Sequence, residues 1–342
     1  MKIFRNLILK FNKLFHERSF YDLIILFFFL SGLFLVANYF YTKKNISYQP
    51  HYGGIYREGI YEYVSFSNPL FPSNETEKAI LNIIYPSLIE FDNGKPFSRL
   101  LKNYSFSTDN LTLRLTLKDN LKWSNGDEIT TDDLLYSIDL YRQYPSMETV
   151  FLKAIDVKII DNRQAEFYLK NVDNYFIFKF NAIKIFPRKT FANANLENFN
   201  VDLLKIGSGP FILEKIRKIK DIQEIVLARN SYYQPQSYLE KIIFYGYPSV
   251  KRVFDGLLLK EVDGVAGLSY FEFPQNIFFD FKIYSIVLPR VIGVFFNSQK
   301  IDKMIVSYLN STVNRQEIVK NIFKDKAEPT DSIFSFNFKK NF

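Results

Sequence analysis

The residues able to do chemistry in this chain are few. Its 342 residues include no cysteine and only two histidines, His16 and His51. Without thiols there is no disulfide, cysteine nucleophile, iron–sulfur cluster, thiolate zinc site or acylated N-terminal cysteine. Both histidines precede the segment that patterns as a folded body, so neither a Ser-His-Asp triad nor a His-x₃-His metal site can be built in that body. Asp132-Asp133 supplies two carboxylates, the raw material of acid–base catalysis. They are adjacent at the start of an apolar helical stretch, which suits capping and the helix dipole better. Trp123, the one tryptophan beside 37 Phe and 23 Tyr, reads as a packing residue rather than a binding platform. There is no GxGxxG, P-loop, HExxH or Asp-rich calcium loop. The chain is read as a non-enzyme with no cofactor and no metal.

What positions any site begins with the N-terminus. Leu23–Ala37 is free of charge, and adding Asn38 to Tyr41 gives nineteen residues, close to the ~20 that cross a bilayer. Basic residues (Lys2, Arg5, Lys10, Lys13, Arg18) dominate the stretch before it, and only Lys43 and Lys44 follow closely. The positive-inside bias places residues 1–20 in the cytoplasm and the rest outside. The competing reading is a cleaved signal peptide; the long basic region and the lack of an A-x-A-like site near Ala37 favour an uncleaved anchor. Residues 1–44 hold 7 basic and 2 acidic groups, leaving 37 basic against 34 acidic in the remainder. The near-neutral body argues against a nucleic-acid groove. Its composition, 47% hydrophobic and 23% charged, is that of a globular protein.

The body alternates strands and helices. Gly53–Ser65 reads as a strand, broken by Ser67-Asn68-Pro69. Asn74 with Glu77 opens a helix with Ala79, Ile80, Ile83 and Ile84 on its apolar face. Leu88–Phe91 and Asp92-Asn93-Gly94 predict a hairpin. Leu111 to Lys118 alternates strictly: Leu111, Leu113, Leu115 and Leu117 face one way, Thr112, Arg114, Thr116 and Lys118 the other. After an Asn125-Gly126 turn, Thr130 and Asp133 cap a helix carrying Leu134, Leu135, Ile138 and Tyr141. Ile155–Ile160 with Ala165–Leu169, and Phe211–Ile216 with Ile222–Ala228, read as hairpins. A strand over Leu239–Tyr247 leads to a helix begun by Pro248-Ser249. Strands over Val262–Leu268, Ile283–Leu288 and Val291–Phe296 precede helices near Asp302–Leu309 and Val313–Phe323.

Five blocks of this pattern resemble the family 5 extracellular solute-binding proteins, the oligopeptide- and dipeptide-binding subunits of ABC importers. They are Leu111–Ser137 (LTLRLTLKDNLKWSNGDEITTDDLLYS); Gly207–Phe211 (GSGPF) with Leu227–Tyr233 (LARNSYY); Gly256–Asp263 (GLLLKEVD); Gly293–Asn297 (GVFFN); and Asn314–Val319 (NRQEIV). They stand in the family's order.

The resemblance implies an α/β, type II periplasmic-binding-protein-like fold of two lobes with an inserted subdomain, here preceded by one transmembrane helix. The expected layout is a cytoplasmic segment 1–20, an anchor 21–41, a tether 42–52, a first lobe from 53–72 and 170–275, an inserted subdomain 73–169, and the start of a second lobe over 276–342. Family members continue well past the counterpart of Asn314–Val319, so the second lobe is expected to be incomplete. The implied function is extracytoplasmic capture of peptides or similar small solutes by hinge closure, for an ABC permease in the membrane. The alternative is a truncated or split relative with a structural or interaction role and no independent ligand binding; a chain supplying the missing part of the second lobe is a further candidate partner. Candidate cleft residues are Ser67, Asn68 and Pro69, which serve equally as a strand-ending turn; Ser269 and Tyr270, a ligand platform or a half-buried tyrosine; and Phe296 and Asn297 at a strand end. Gly207, Gly209 and Pro210 are expected to set backbone geometry, and Trp123, Asp132 and Asp133 to belong to the structural motif.

Overall fold

The structure, a computed structural model, describes residues 17–45, 50–92, 95–173, 175–268, 281–282, 284, 292–294, 296–297, 299–325 and 327–330. It divides into two units, residues 1–53 and 54–342. In the first, helix α1 spans Glu17–Asn45. Its stretch Asp22–Tyr39 has a mean hydropathy of 2.0 and none of it is buried in the protein. Phe27, Phe28 and Phe34 all stand exposed. Such a helix is long and apolar enough to cross a membrane, and a signal sequence meets the same description.

In the second unit the chain runs β1 (Ile55–Tyr61), α2 (Glu75–Ile84), β2 (Glu90–Asp92), β3 (Lys95–Phe97), β4 (Leu101–Phe106), β5 (Thr112–Leu117), α3 (Thr131–Gln143), β6 (Asp156–Ile159) and β7 (Gln164–Tyr168). Short helical turns α4 (Phe176–Lys179) and α5 (Arg188–Phe191) follow, then β8 (Phe211–Ile219), β9 (Ile222–Arg229), β10 (Lys241–Tyr247), α6 (Val250–Leu258), β11 (Gly264–Val265), α7 (Lys303–Thr312) and α8 (Arg315–Asn321). One sheet has the order β11-β1-β10-β9-β8 and another β4-β5-β7-β6, while β2 and β3 pair alone. β1 is parallel to both β10 and β11, and β8–β9–β10 is an antiparallel meander.

The period-2 pattern fixes the faces. Leu113, Leu115 and Leu117 of β5 are fully buried, and Arg114 points out to Glu166 of β7. A single hydrophobic cluster joins both larger sheets, from Ile60 and Leu81 through Leu115 and Phe167 to Leu213 and Leu227. Along β10, Phe244 enters that cluster while Tyr245 and Tyr247 turn to the opposite face, where Tyr247 packs with Val253, Leu257 and Val262 of α6 and its exit.

Asn74, Ser249 and Asp302 each accept a bond from an amide in the first turn where a helix start is expected, Thr130 and Asp133 form the expected capping box, and the last helix starts two residues later than expected, capped by Asn314. The face of α2 differs from expectation. Glu77, Ile80, Leu81 and Ile84 are buried, whereas Ala79 is exposed and Ile83 partly so. Glu77 is drawn inward because its carboxylate accepts from the amide and hydroxyl of Ser73, which rotates the buried arc. The first strand stops at Tyr61 because Glu62 takes a φ of 71°. The expected strand Val262–Leu268 contracts to Gly264–Val265. Of the strand expected over Ile283–Leu288 only Tyr284 is described, and of that expected over Val291–Phe296 residues 292–294 and 296 are described and are not in a strand.

Candidate functional site

Parallel strands end together, and in open α/β sheets the crevice beyond their carboxyl ends is where ligands bind. Here β1, β10 and β11 define that end. After β1 the chain does not continue as a paired strand. Instead the Gln223 side chain substitutes for one: Val64 N–H donates to Gln223 Oε1 at 2.8 Å, and Gln223 Nε2 donates to Val64 O at 2.8 Å. Glu62 N–H donates to Tyr247 O at 3.0 Å, and Tyr63 Oη donates to Asp221 O at 2.6 Å. The clamped segment alternates, with Val64 and Phe66 buried and Ser65 and Ser67 exposed. Ser67 Oγ donates to Ser65 Oγ at 3.1 Å, leaving a small polar ledge at the carboxyl edge.

Asn68 is committed to structure. Its Nδ2 donates to Leu196 O at 3.1 Å, and its Oδ1 accepts from Leu70 N–H at 2.9 Å. Pro69 is buried. Of the three expected cleft residues here, only Ser67 presents its side chain outward. Asn297 accepts from Gln299 N–H in a local turn, and Phe296 is half-buried. Ser269 and Tyr270 lie outside the described residues.

On the β11 side, Asp263 holds the strand to β1 through two bonds, Arg57 N–H to Asp263 Oδ2 at 2.9 Å and Asp263 N–H to Arg57 O at 2.8 Å. Ala266 N–H donates to Gly59 O. Gly267 follows with a φ of 75°, and a Cβ there would stand 3.9 Å from Thr76 Oγ1. The start of α2 therefore faces the chain leaving β11. Glu77 closes that start from below; it is fully buried, and its Oε1 has no hydrogen-bond partner among the described residues. Nearby in β1, burial raises the pKa of Glu58, opposed by a hydrogen bond from Tyr56.

The Gly207–Pro210 segment seals the other end of α2. Gly209 N–H donates to Ile84 O at 2.8 Å. A Cβ on Gly209 would fall 1.9 Å from Ile83 O, and one on Gly207 would fall 2.7 Å from Ile84 O, so close backbone approach demands glycine at both. Asn230 locks the segment: its Nδ2 donates to Gly209 O at 2.9 Å, and its N–H donates to Pro210 O at 2.9 Å.

Trp123 is buried, and its Nε1 donates to Asp133 Oδ2 at 3.2 Å. The same carboxylate accepts from Thr130 N–H at 3.1 Å and from Arg188 N–H at 2.8 Å. Burial raises the Asp133 pKa against these bonds. Asp132 points away, exposed, toward Arg188 at 3.8 Å. The two carboxylates thus do separate work. Among the described residues no group of His, Asp and Glu is arranged to hold a metal.

Two residues that carry these elements escaped the sequence reading. Gln223 has no local signal, since its partner is 159 positions away. Lys184 is 8% exposed; its Nζ donates to Asn82 Oδ1 and to Tyr85 O, the latter at 3.1 Å, and burial lowers its pKa to about 8.

This sheet, with a crossover returning beside its first strand and a second sheet on the same core, is of the α/β, bilobed, periplasmic-binding-protein-like type. Residues 95–342 match the middle region of the bacterial extracellular solute-binding proteins, family 5, and the chain belongs to that family. Family 5 solute-binding proteins are non-catalytic. The chain is similar to the dipeptide-binding protein DppE of Bacillus subtilis, 25% identical over 50% of this chain and 35% of that protein. It is also similar to the nickel-binding periplasmic protein of Escherichia coli, 22% identical over 74% of this chain and 51% of that one. Among solved structures it resembles the oligopeptide-binding protein AppA of Bacillus subtilis in complex with a nonapeptide, with a TM-score of 0.54 and 24% identity over 63% of this chain and 44% of that one. The chain spans about half the length of these relatives, or less.

Proposed function

We propose that this chain is the receptor of an ABC-type importer, held at the outer face of a membrane by α1, and that it captures peptides or similar small solutes between two lobes. In this reading 53–72 and 170–275 form the first lobe, 73–169 an inserted subdomain, and 276–342 the start of the second. The observation that carries it is the carboxyl edge of β1, β10 and β11. There a clamped polar ledge (Ser65, Ser67) and the start of α2 flank the point where the chain leaves β11. An extended peptide would be held there mostly by backbone hydrogen bonds and water, and closure would be driven by contacts to both lobes. The test is a thermal melt of the full chain in nanodiscs against a pool of short peptides. A rise in melting temperature is expected; no shift with any peptide pool overturns peptide capture.

A second reading has an observation of its own. Met304, Ile305 and Tyr308 of α7, with Ile322 at the end of α8, form apolar surface that is exposed throughout. Further second-lobe polypeptide, in whatever chain it is carried, would cover such surface. If ligand capture requires that cover, the melt responds only after the complementing polypeptide is supplied.

A further inference from the structure

The amino ends of β1 and β10 carry a surface that the proposed capture does not use. Helix α6 leaves β10 at the carboxyl edge and must return the chain to β11, which is parallel to β1. Its last turn therefore lies at the opposite, amino end of the sheet. There Leu257 packs with Tyr247, Val253 and Val262, while Leu258 and Leu259 stand 49% and 69% exposed. Ile55 opens β1 at the same end and is exposed, as is Tyr238 in the loop between β9 and β10. That loop is pinned to the start of the body: Glu240 N–H donates to Gly54 O at 3.0 Å, and Arg229 N–H donates to Glu240 O at 2.9 Å. Four large side chains thus stand exposed at the end of the sheet where the chain from α1 enters. Charge selects nothing here, since Arg57 pairs with Asp263 at 3.7 Å and Lys241 with Glu214 at 2.7 Å.

We infer that this end is a membrane-contact surface, and that its occupant is the interfacial layer of the bilayer that α1 spans. The inference rests on the reading of α1 as an uncleaved anchor. Chain length selects the occupant. Only residues 46–54 separate α1 from β1, and nine residues reach at most about 33 Å however they run, so the amino end of β1 stays beside the lipid. Leucine and isoleucine gain by entering the boundary between headgroups and acyl chains, and tyrosine concentrates there with its ring in apolar and its hydroxyl in wet surroundings. Four such side chains would hold a free protein poorly. The tether makes the contact intramolecular and raises its effective concentration, so a weak contact is populated yet stays reversible. The seven residues of β1, at about 3.3 Å each, then lift the ledge of Ser65 and Ser67 up to roughly 20 Å clear of the lipid.

The test uses the full chain in phosphatidylcholine nanodiscs. The chain has no cysteine, so K260C and S67C each supply one thiol, and both positions are exposed. Each is labelled with a fluorophore that doxyl-labelled lipid quenches. The K260C label is expected to be quenched at least about three-fold more than the S67C label, and equally at low and high salt, because the contact is apolar. Adding L258S/L259S to K260C should bring its quenching down to that of S67C. I55S should lower it as well, and decides the matter if the double substitution lowers the melting temperature. Three outcomes overturn the proposal: equal quenching of the two labels, quenching that survives both sets of substitutions, or a K260C label shielded from aqueous iodide yet untouched by doxyl-lipid, as a polypeptide cover would leave it. A chain that has lost α1 elutes apart from the discs and overturns the anchor reading too, whereas a chain retained in the disc with equal labels overturns the contact alone.

Discussion

Lys184 holds a positive charge where little water reaches it, and the consequence is measurable. Its ammonium caps Tyr85 O at the end of α2 and meets Asn82; Glu90 attracts it and Lys78 repels it, but burial is the largest influence and lowers its pKa to about 8. The unfolded chain keeps the ordinary lysine value, so between these two values the unfolded state binds more protons and stability rises with pH. The full stabilising effect is present above the unfolded value and is lost as pH falls through about 8. From about pH 7.5 to 9.5 the gain should be about 2 kcal/mol, read from denaturant midpoints. K184M should remove that slope, and an unchanged slope would assign it elsewhere. The upper limit keeps clear of the buried Tyr85 and Tyr141, whose pKa values burial raises and which destabilise the fold once the unfolded phenols ionise. Gly209 gives a second residue-scale prediction: G209A puts a methyl into Ile83 O and should cost about 3 kcal/mol or more, because backbone on both sides must move.

At the scale of elements, the loop after β1 is held at Val64 by one side chain from β9, Gln223, rather than by strand pairing. Q223L leaves the amide and carbonyl of Val64 without the bonds they now make, at an expected cost of about 2–3 kcal/mol in a urea melt. Because Ser65 and Ser67 ride on that loop, Q223L should also lose ligand stabilisation out of proportion to its effect on the unliganded protein. Equal losses in both states would show that the loop is scaffold only. What the sequence discloses about such elements is the local part. Alternating Leu113, Leu115 and Leu117, the cap residues Asn74, Thr130 and Ser249, and the Gly207–Pro210 turn are all written within a few positions of one another. The face of α2 was not legible, because Ser73 pulls Glu77 inward and Leu81 replaces Ala79 in the core. Gln223 and Lys184 were illegible for a common reason: each satisfies backbone groups far along the chain, and nothing in the neighbouring residues announces the partner. At Asn68 the sequence leaves a cleft residue and a strand-ending turn both open, and its tether to Leu196, 128 positions on, has no local signal.

For the whole molecule, the decisive question is whether α1 remains attached to the body, since a receptor that stays attached samples one patch of membrane while a released one diffuses. The absence of cysteine makes this directly testable, because any introduced thiol is unique. N12C and H51C flank the apolar stretch Asp22–Tyr39. Five basic residues precede that stretch and only Lys43 and Lys44 follow it closely, so the positive-inside bias puts the first thiol in the cytoplasm and the second outside. An impermeant maleimide should therefore label H51C in intact cells and N12C only after lysis. The full-length product should stay with the membrane through alkaline washing, because about eighteen apolar residues bury more surface than a peripheral contact supplies. Cleavage would shorten the protein by about 4 kDa, release H51C with the body and leave N12C behind. That outcome would remove the anchor while leaving the carboxyl-edge site as it stands. Labelling of N12C in intact cells would invert the orientation and place the ledge of Ser65 and Ser67 on the wrong side of the membrane for capture.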